Sequence, residues 1–215
     1  MKRLSRPTKI LIWSVILVLA VWLFLFASNY PSPTAEVAFR KAEKENLIGP
    51  AEVIEILDFE DSGYDHLLIA HSPYGYTFFE WTDPNWDDGR LSYQKKNDRV
   101  TLFCTYYPYE RLYTGRGWLP IFAFAQHGAA VRARLTIETI KQESTATYTL
   151  EAEKSNAGYF LFKQNVSELQ SEDFWYIQQL ITGAYSEYVL DGTAKATVEL
   201  YDHTGNLIET KVFTK

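Results

Sequence analysis

The pattern of apolar and polar positions changes abruptly near residue 30. From Ile10 to Ala27 the chain reads ILIWSVILVLAVWLFLFA, an apolar run in which Ser14 is the only polar residue. A helix of that length rises about 27 Å, close to the roughly 30 Å hydrocarbon core of a bilayer. Because backbone groups in lipid must bond within their own segment, the pattern predicts a transmembrane helix over residues 10–30, with the bilayer as its partner.

The charges beside this run predict its direction. Four basic residues precede it: Lys2, Arg3, Arg6 and Lys9. No other Lys or Arg occurs before Arg40. The positive-inside rule therefore predicts a cytoplasmic tail over residues 1–9 and an extracytoplasmic C-terminal bulk, in a single-pass protein of the cell membrane.

A cleaved secretory signal peptide is the alternative to a retained anchor. Signal peptides also carry a basic N-terminal region, but their apolar core is usually about 7–15 residues long. Their cleavage sites need small residues, and Leu25 and Phe26 stand in those places here. The length and flanks of the run favour the anchor, and both alternatives export the bulk of the chain.

After a Pro-containing linker at residues 31–34, the pattern predicts an α+β module over residues 35–115. Thr34 is a suitable N-cap for an amphipathic helix from Ala35 to Leu47, which Gly49-Pro50 would end. Its apolar stripe is Val37, Ala38, Ala42 and Leu47. Strand-like runs follow: EVIEILDF, HLLIAHS, YTFFEW, Leu91 to Gln94, and Arg99 to Tyr107. We expect a helix on an antiparallel meander, with the last two runs paired to each other.

Residues 116–215 predict a second module. Six strand-like runs alternate with turn residues: WLPIFAFAQ, VRARLTIETI, ATYTLEAEK, GYFLFK, AKATVELYD and NLIETKVF. A helical pattern from Ser167 to Ile181, with Ser171 as its cap and Gly183 at its end, interrupts them. The pattern predicts an immunoglobulin-like β-sandwich with one inserted helix. The whole chain is thus predicted to be α+β and predominantly antiparallel, an architecture that by itself carries no function.

Charge and cysteine usage narrow the function classes. Of 21 basic residues four precede the span, which leaves 17 against all 27 acidic residues, a net charge of −10 for the exported part. Such an acidic domain argues against nucleic acid as the partner. The single cysteine, Cys104, allows no internal disulfide, which favours a bacterial envelope protein over an animal receptor.

One polar cluster has the start of a calcium-loop pattern. Asp83, Asn85 and Asp87 alternate as the first ligands of such a loop do. The rest of the pattern fails, because Asp88 replaces the required glycine and Gln94 the required bidentate glutamate. A solvated turn between strands is the alternative, and no cofactor is expected.

The other groups that could carry chemistry lack the necessary spacing. The histidines His66 and His71 are five residues apart in one predicted strand, which places them on opposite faces rather than in a zinc site. Cys104 falls on the predicted core face of its strand, where a cysteine behaves as a small hydrophobe. No Gly-x-Ser-x-Gly elbow and no His-Glu-x-x-His motif of a hydrolase occurs.

An aromatic run with two arginines is the best candidate for a ligand or partner surface. Its members are Tyr107, Tyr109, Arg111, Tyr113, Arg116 and Trp118. Tyrosine and tryptophan offer a large contact area with a polar group, which suits recognition of carbohydrate or peptide. The alternative is that these residues seal the junction between the two modules.

Taken together, these patterns predict a membrane-anchored extracytoplasmic protein. We expect a non-enzymatic binding or accessory module of the bacterial cell envelope, whose partner is another envelope protein or a surface ligand. The alternative is a membrane-tethered, carboxylate-dependent hydrolase of wall polysaccharide, which would need two carboxylates about 5–10 Å apart in a cleft.

Overall fold

The computed structural model describes residues 5–27, 34–58, 66–81, 89–96, 99–104, 117–141, 144–183 and 192–214. In these ranges the chain forms three α-helices and eleven strands. In chain order they are α1 (Arg6–Ala27), α2 (Ala35–Glu45), β1 (Glu52–Asp58), β2 (His66–Ser72), β3 (Gly75–Trp81), β4 (Arg90–Lys95), β5 (Val100–Cys104), β6 (Trp118–Ala125), β7 (Arg132–Ile140), β8 (Thr145–Glu153), β9 (Phe160–Asn165), α3 (Ser171–Thr182), β10 (Thr193–Tyr201) and β11 (Leu207–Thr214). A short 3-10 helix (Val166–Glu168) follows β9.

Helix α1 coincides with the predicted apolar span. It continues without a break for 22 residues, about 33 Å at the usual rise of a helix. Among the described residues it is the one helix long and apolar enough to cross a membrane, a property that membrane anchors and signal sequences share. The predicted apolar helix is confirmed from Ile10 to Ala27, it begins four residues earlier at Arg6, and residues 28–30 of the predicted span lie outside the described residues.

The predicted helix on a meander is confirmed for the first four strand-like runs. Strands β1 to β4 form an antiparallel sheet in chain order, which we call sheet A, and α2 packs on one of its faces. Thr34 caps α2 as predicted, since its Oγ1 accepts a hydrogen bond from the Val37 amide at 3.3 Å. The predicted stripe is wrong at Val37 and Leu47, which are 49% and 92% exposed. The buried stripe is Ala35, Ala38, Phe39, Ala42 and Glu43.

A three-stranded sheet, sheet B, lies in the middle of the fold in the order β5-β6-β9. All five residues of β5 are buried, with Val100 and Leu102 on one face and Phe103 on the other. The predicted pairing of β4 with β5 is wrong, because β4 pairs with β3 and β5 with β6. The physical reason is burial: a strand that is apolar on both faces belongs inside a stack of sheets, whereas half-exposed β4 suits an edge.

A third sheet, sheet C, has the order β11-β10-β7-β8 and faces sheet B. Its strands alternate buried and solvent-facing residues, as in Ala133, Leu135 and Ile137 of β7, so the predicted alternation is confirmed there. All six strand-like runs of residues 116–215 are strands. The chain is therefore α+β and mostly antiparallel, with sandwich-like facing sheets.

Helix α3 closes the core between sheets B and C. Phe174, Ile177 and Ile181 are buried there, and Gly183 ends the helix with a left-handed φ of 70° as predicted. The predicted cap Ser171 is instead the first helical residue, and Gln170 precedes it without a side-chain capping bond. The Gln170 amide oxygen is engaged elsewhere, since it accepts a bond from Lys141 Nζ at 3.0 Å.

An aromatic layer joins sheet A to sheet B. Phe78 of sheet A stacks on Phe103 of sheet B with ring centroids 3.4 Å apart, and Phe122, Phe124 and Tyr159 surround the pair. Sheet B thus contacts a neighbour on each face. Because β5 precedes residue 115 and pairs with β6 beyond it, one sheet contains strands from both predicted modules, and the division at residue 115 stays a prediction.

Candidate functional site

The end of sheet A beside the last turn of α2 exposes several large apolar side chains. Leu47 is 92% exposed, Tyr74 78% and Tyr93 44%. An open, mainly apolar cleft of about 420 Å³ lies between the residues that follow α2, the β2–β3 turn and Tyr93. We call this surface the apolar tip and define it as Leu47, Ile48, Pro50, Pro73, Tyr74 and Tyr93.

The end of α2 builds one side of the apolar tip. Leu47 has a φ of 54°, the left-handed conformation that usually requires glycine, and it directly follows the C-cap Asn46. The Ile48 amide donates to the Glu43 carbonyl at 3.1 Å, which completes a Schellman motif. This geometry points the Leu47 side chain away from the core.

The β2–β3 turn builds the other side. Ser72 Oγ accepts hydrogen bonds from the amides of Tyr74 at 3.3 Å and Gly75 at 3.2 Å, which fixes the turn. At Gly75 a Cβ atom would lie 2.5 Å from the Gln94 carbonyl oxygen and 2.6 Å from Tyr93 Oη. Only glycine allows this approach of β4, so the backbone holds the two tyrosines of the apolar tip in place.

Three lysines flank the apolar tip. Lys44 lies in the last turn of α2, Lys95 pairs in register with Gly75, and the Lys96 amide donates to the Tyr74 carbonyl at 3.0 Å. None of the three side chains forms an ion pair with another described residue. Three lysines without an ion pair to a described residue therefore border the apolar tip, together with Glu45 at the end of α2 and Glu52 opposite His71.

The acidic residues of α2 beside these lysines have partners of their own. Glu43 is buried, and its carboxylate accepts bonds from Arg40 Nη1 at 2.7 Å and the Ala51 amide at 2.8 Å. Glu45 pairs with Lys41 at 4.0 Å. These pairs leave Lys44 without an ion-pair partner in α2, although the three acidic and three basic residues of the helix balance.

His71 lies across β2–β3 from Tyr76, close to the apolar tip. Burial is the main reason that the pKa of His71 is lowered, and the charge of Lys96 lowers it further against the opposing effect of Glu52. The imidazole is therefore neutral at neutral pH and adds no charge to this surface.

A second polar constellation is buried under the N-terminus of α3. The Asp173 carboxylate accepts hydrogen bonds from Thr139 Oγ1 at 2.9 Å and Tyr148 Oη at 2.5 Å, and Lys141 Nζ lies 2.9 Å away. Burial and this bond to Asp173 raise the pKa of Tyr148 to about 12. The phenol stays protonated, so the geometry supports attachment of α3 to sheet C and offers no general base.

An open polar cleft near the β10–β11 hairpin contains two carboxylates, Glu153 and Asp202. Hydrogen bonds from the Thr204 hydroxyl and from the amides of Thr204 and Asn206 hold the pKa of Asp202 at about 2. Asp202 therefore remains ionised and cannot act as the general acid that a glycoside hydrolase requires. Its chemistry is that of a turn-forming residue.

Most residues of the two predicted sites lie outside the described residues. This holds for the calcium-loop candidates Asp83, Asn85 and Asp87, and for Tyr107, Tyr109, Arg111, Tyr113 and Arg116 of the aromatic run. Trp118 begins β6, is half-buried, packs against the aromatic layer and has Lys163 Nζ 4.4 Å from its ring centroid. Both site predictions stay predictions.

The cysteine and the first histidine considered as chemical groups both pack against, or bond to, neighbouring residues of the fold. Cys104 is buried as predicted, and burial raises the pKa of its thiol. His66 bonds to Asp58 Oδ1 at 2.7 Å and stacks on Trp81. Across the described part of the chain, no group of three His, Cys, Asp or Glu residues is placed to hold a metal ion.

No protein-family model, curated protein sequence or solved structure matches the chain. The apolar tip was not predicted from the sequence, although two signals for it are present. Gly49-Pro50 places Leu47 at a helix end, where an apolar residue need not face the core. Pro73-Tyr74-Gly75 marks a tight turn that exposes its tyrosine.

Proposed function

We propose that the chain is a single-pass membrane protein whose extracytoplasmic bulk is a non-enzymatic binding or accessory module of the bacterial cell envelope. One observation carries the proposal. The large apolar side chains from Ile10 to Phe24 are each 42% to 70% exposed, and no part of that window is buried. Since leaving one such side chain in water costs about 1.5–3 kcal/mol, lipid is the surrounding that suits α1.

The proposed orientation rests on the basic residues before α1. Moving Lys2, Arg3, Arg6 and Lys9 through a bilayer is costly, and the exported bulk carries a net negative charge instead. The N-terminus is therefore proposed to be cytoplasmic and the three sheets extracytoplasmic, at the cell membrane.

The proposed domain architecture is compatible with the binding role. Sheets B and C face each other across one apolar core, which supports an immunoglobulin-like sandwich with α3 as its inserted helix. Such sandwiches serve many functions, so the architecture favours no particular ligand. Another envelope protein or a surface ligand remains the proposed partner, with the aromatic run that includes Trp118 as its contact surface.

Membrane extraction tests the anchor. After alkaline carbonate treatment the protein should stay in the membrane pellet, and its intact mass should include residues 1–27. Replacing both Leu17 and Leu19 by Arg should release it, since each Arg at a helix centre costs about 2.5–3.5 kcal/mol on insertion. The matched control replaces the same residues by Ile. A mature chain that begins after Ala27 would contradict the anchor.

The binding role is tested on the full chain purified from native membranes in mild detergent. We expect a stoichiometric envelope protein or surface polymer to co-purify, and a Trp118→Ala variant to lose it while remaining folded. A Trp13→Ala variant, changed within α1, is the control. Multiple-turnover release of soluble sugar from wall polysaccharide by the purified protein would contradict the proposal in favour of the hydrolase alternative.

A further inference from the structure

We propose that the apolar tip is a membrane-contact surface, seated in the interfacial layer of the bilayer that α1 crosses. The exported domain would then lie with this end of sheet A against the membrane. The inference rests on the proposed function, because it requires α1 to be a retained anchor in the same membrane.

The covalent connection limits how far the apolar tip can be from the bilayer. From Ala27, where α1 ends, to Thr34, the N-cap of α2, there are seven peptide steps, at most about 25 Å when fully extended. Helix α2 has 11 residues, which adds about 16 Å before Leu47. The apolar tip is therefore tethered within roughly 40 Å of the end of α1, within reach of the headgroup layer.

The side chains of the apolar tip suit the membrane interface. Tyrosine is enriched where a bilayer meets water, because its ring is apolar and its hydroxyl is polar. Tyr74 and Tyr93 are both exposed here, Ile48 lines the same cleft, and exposed Leu47 precedes it in the chain. Leu47 is 92% exposed in a conformation that favours glycine, so neither packing nor backbone geometry within the domain accounts for a leucine at this position.

Charge favours the same surface and fixes the orientation. Lys44, Lys95 and Lys96 border the apolar tip and would face anionic lipid headgroups. The exported part as a whole carries a net charge of −10, so an anionic membrane repels most of its surface. A local group of lysines around exposed apolar residues is the combination that interfacial membrane contacts use.

Depth-dependent fluorescence quenching tests the inference on the full chain in vesicles that contain anionic lipid. Single cysteines at Tyr74→Cys or Asn46→Cys carry an environment-sensitive dye, and the second site leaves the apolar tip intact. Native Cys104 is buried and its thiol pKa is raised, so it stays unlabelled. Leu17→Cys in α1 is the control for the anchor, and Thr147→Cys on the outer face of sheet C is the aqueous control.

We expect shallow lipid-borne quenchers to reduce the dye signal at residues 74 and 46 by about twofold, and the signal at residue 147 hardly at all. Charge reversal of Lys44, Lys95 and Lys96 to Glu should abolish this quenching and leave quenching at residue 17 unchanged. If residue 17 is quenched while residues 74 and 46 behave like residue 147, the apolar tip faces water or a protein, and the inference is overturned. If residue 17, near the middle of α1, is not quenched by lipid-borne quenchers placed deep in the bilayer, the proposed anchor itself fails.

Discussion

At the residue scale, the buried carboxylate of Asp173 shows how one side chain fixes an element. It is fully buried and accepts bonds from Thr139 and Tyr148, while Lys141 neutralises it. The sequence shows that Asp173 lies in the first turn of the predicted helix. It does not reveal that the acid is buried, because Thr139 lies 34 residues away along the chain.

Removing this carboxylate should therefore destabilise the fold strongly. Asp173→Ala leaves Lys141 and Tyr148 without their buried partner, and we expect the free energy of unfolding to fall by about 3 kcal/mol. Glu172→Ala is the matched control, since that neighbouring carboxylate is 71% exposed and also reaches Lys141, at 3.4 Å. Its effect should stay within about 0.5 kcal/mol. Urea denaturation of the detergent-solubilised chain measures both, and equal effects would contradict the account.

The same network predicts a dependence on alkaline pH. The pKa of Tyr148 is raised from 10.0 to about 12, so the folded chain keeps this proton to a higher pH than the unfolded chain. Its contribution to stability is complete below pH 10 and is lost as the pH rises to about 12. The stability of wild type should fall more steeply over this interval than that of Tyr148→Phe. If the stabilities of wild type and Tyr148→Phe fall in parallel between pH 10 and 12, the bond between Tyr148 and Asp173 does not raise the pKa of the phenol.

At the element scale, the ends of α2 and α3 are both followed by a residue in the left-handed conformation, but the residue types differ. Leu47 follows the C-cap of α2 in a left-handed conformation, and Gly183 occupies the left-handed end of α3. An L-residue pays a steric cost in that conformation, whereas glycine does not. Since the Leu47 side chain is exposed, packing gives no compensation within the domain.

Reciprocal substitutions should therefore have opposite effects. Leu47→Gly should raise the free energy of unfolding by about 0.5–1 kcal/mol, because relief of the strained φ exceeds the extra entropy of an unfolded glycine. Gly183→Ala should lower it by about 1 kcal/mol, since open space surrounds Gly183 and only φ changes. Thermal unfolding in detergent measures both. Destabilisation by Leu47→Gly would mean that Leu47 makes a stabilising contact.

Strands were predictable from the sequence where one face of the strand is exposed to solvent. In β7 and β10 buried and solvent-facing residues alternate, and the sequence displays that period directly. The partner of β5 was not predictable, because a strand buried on both faces carries no alternation to show which sheet receives it. The predicted apolar stripe of α2 was wrong at Leu47 because this residue follows the C-cap in a left-handed conformation and does not face the core.

At the scale of the whole molecule, sheet B couples the two halves of the chain that follows α1. Its β5 and β6 pair across residue 115, and its Phe103 stacks on Phe78 of sheet A. Tyr159 adds a polar link, since its hydroxyl donates to Glu55 Oε2 of sheet A at 2.6 Å. The two modules predicted from the sequence thus share sheet B. Local sequence patterns do not predict this, because the pairing and stacking residues are far apart along the chain.

This shared layer predicts a single cooperative unfolding transition for the three sheets. Phe78→Ala removes a fully buried ring between sheets A and B and should cost about 3–5 kcal/mol. The transition should shift as a whole when followed by tryptophan fluorescence and by circular dichroism. Ile140→Ala, at a position that is 46% exposed, is the control and should shift it little. Two separate transitions, only one of them moved by Phe78→Ala, would support independent modules instead.

In the proposed topology α1 is a retained anchor, with its N-terminus in the cytoplasm and the three sheets outside. The direct measurement is labelling of single-cysteine variants in intact cells with a membrane-impermeant maleimide. Thr147→Cys, exposed on sheet C, should be labelled at once, and Lys2→Cys only after the membrane is permeabilised. Labelling of Lys2→Cys in intact cells with Thr147→Cys protected, or loss of residue 2 from the membrane-bound protein, would contradict the account.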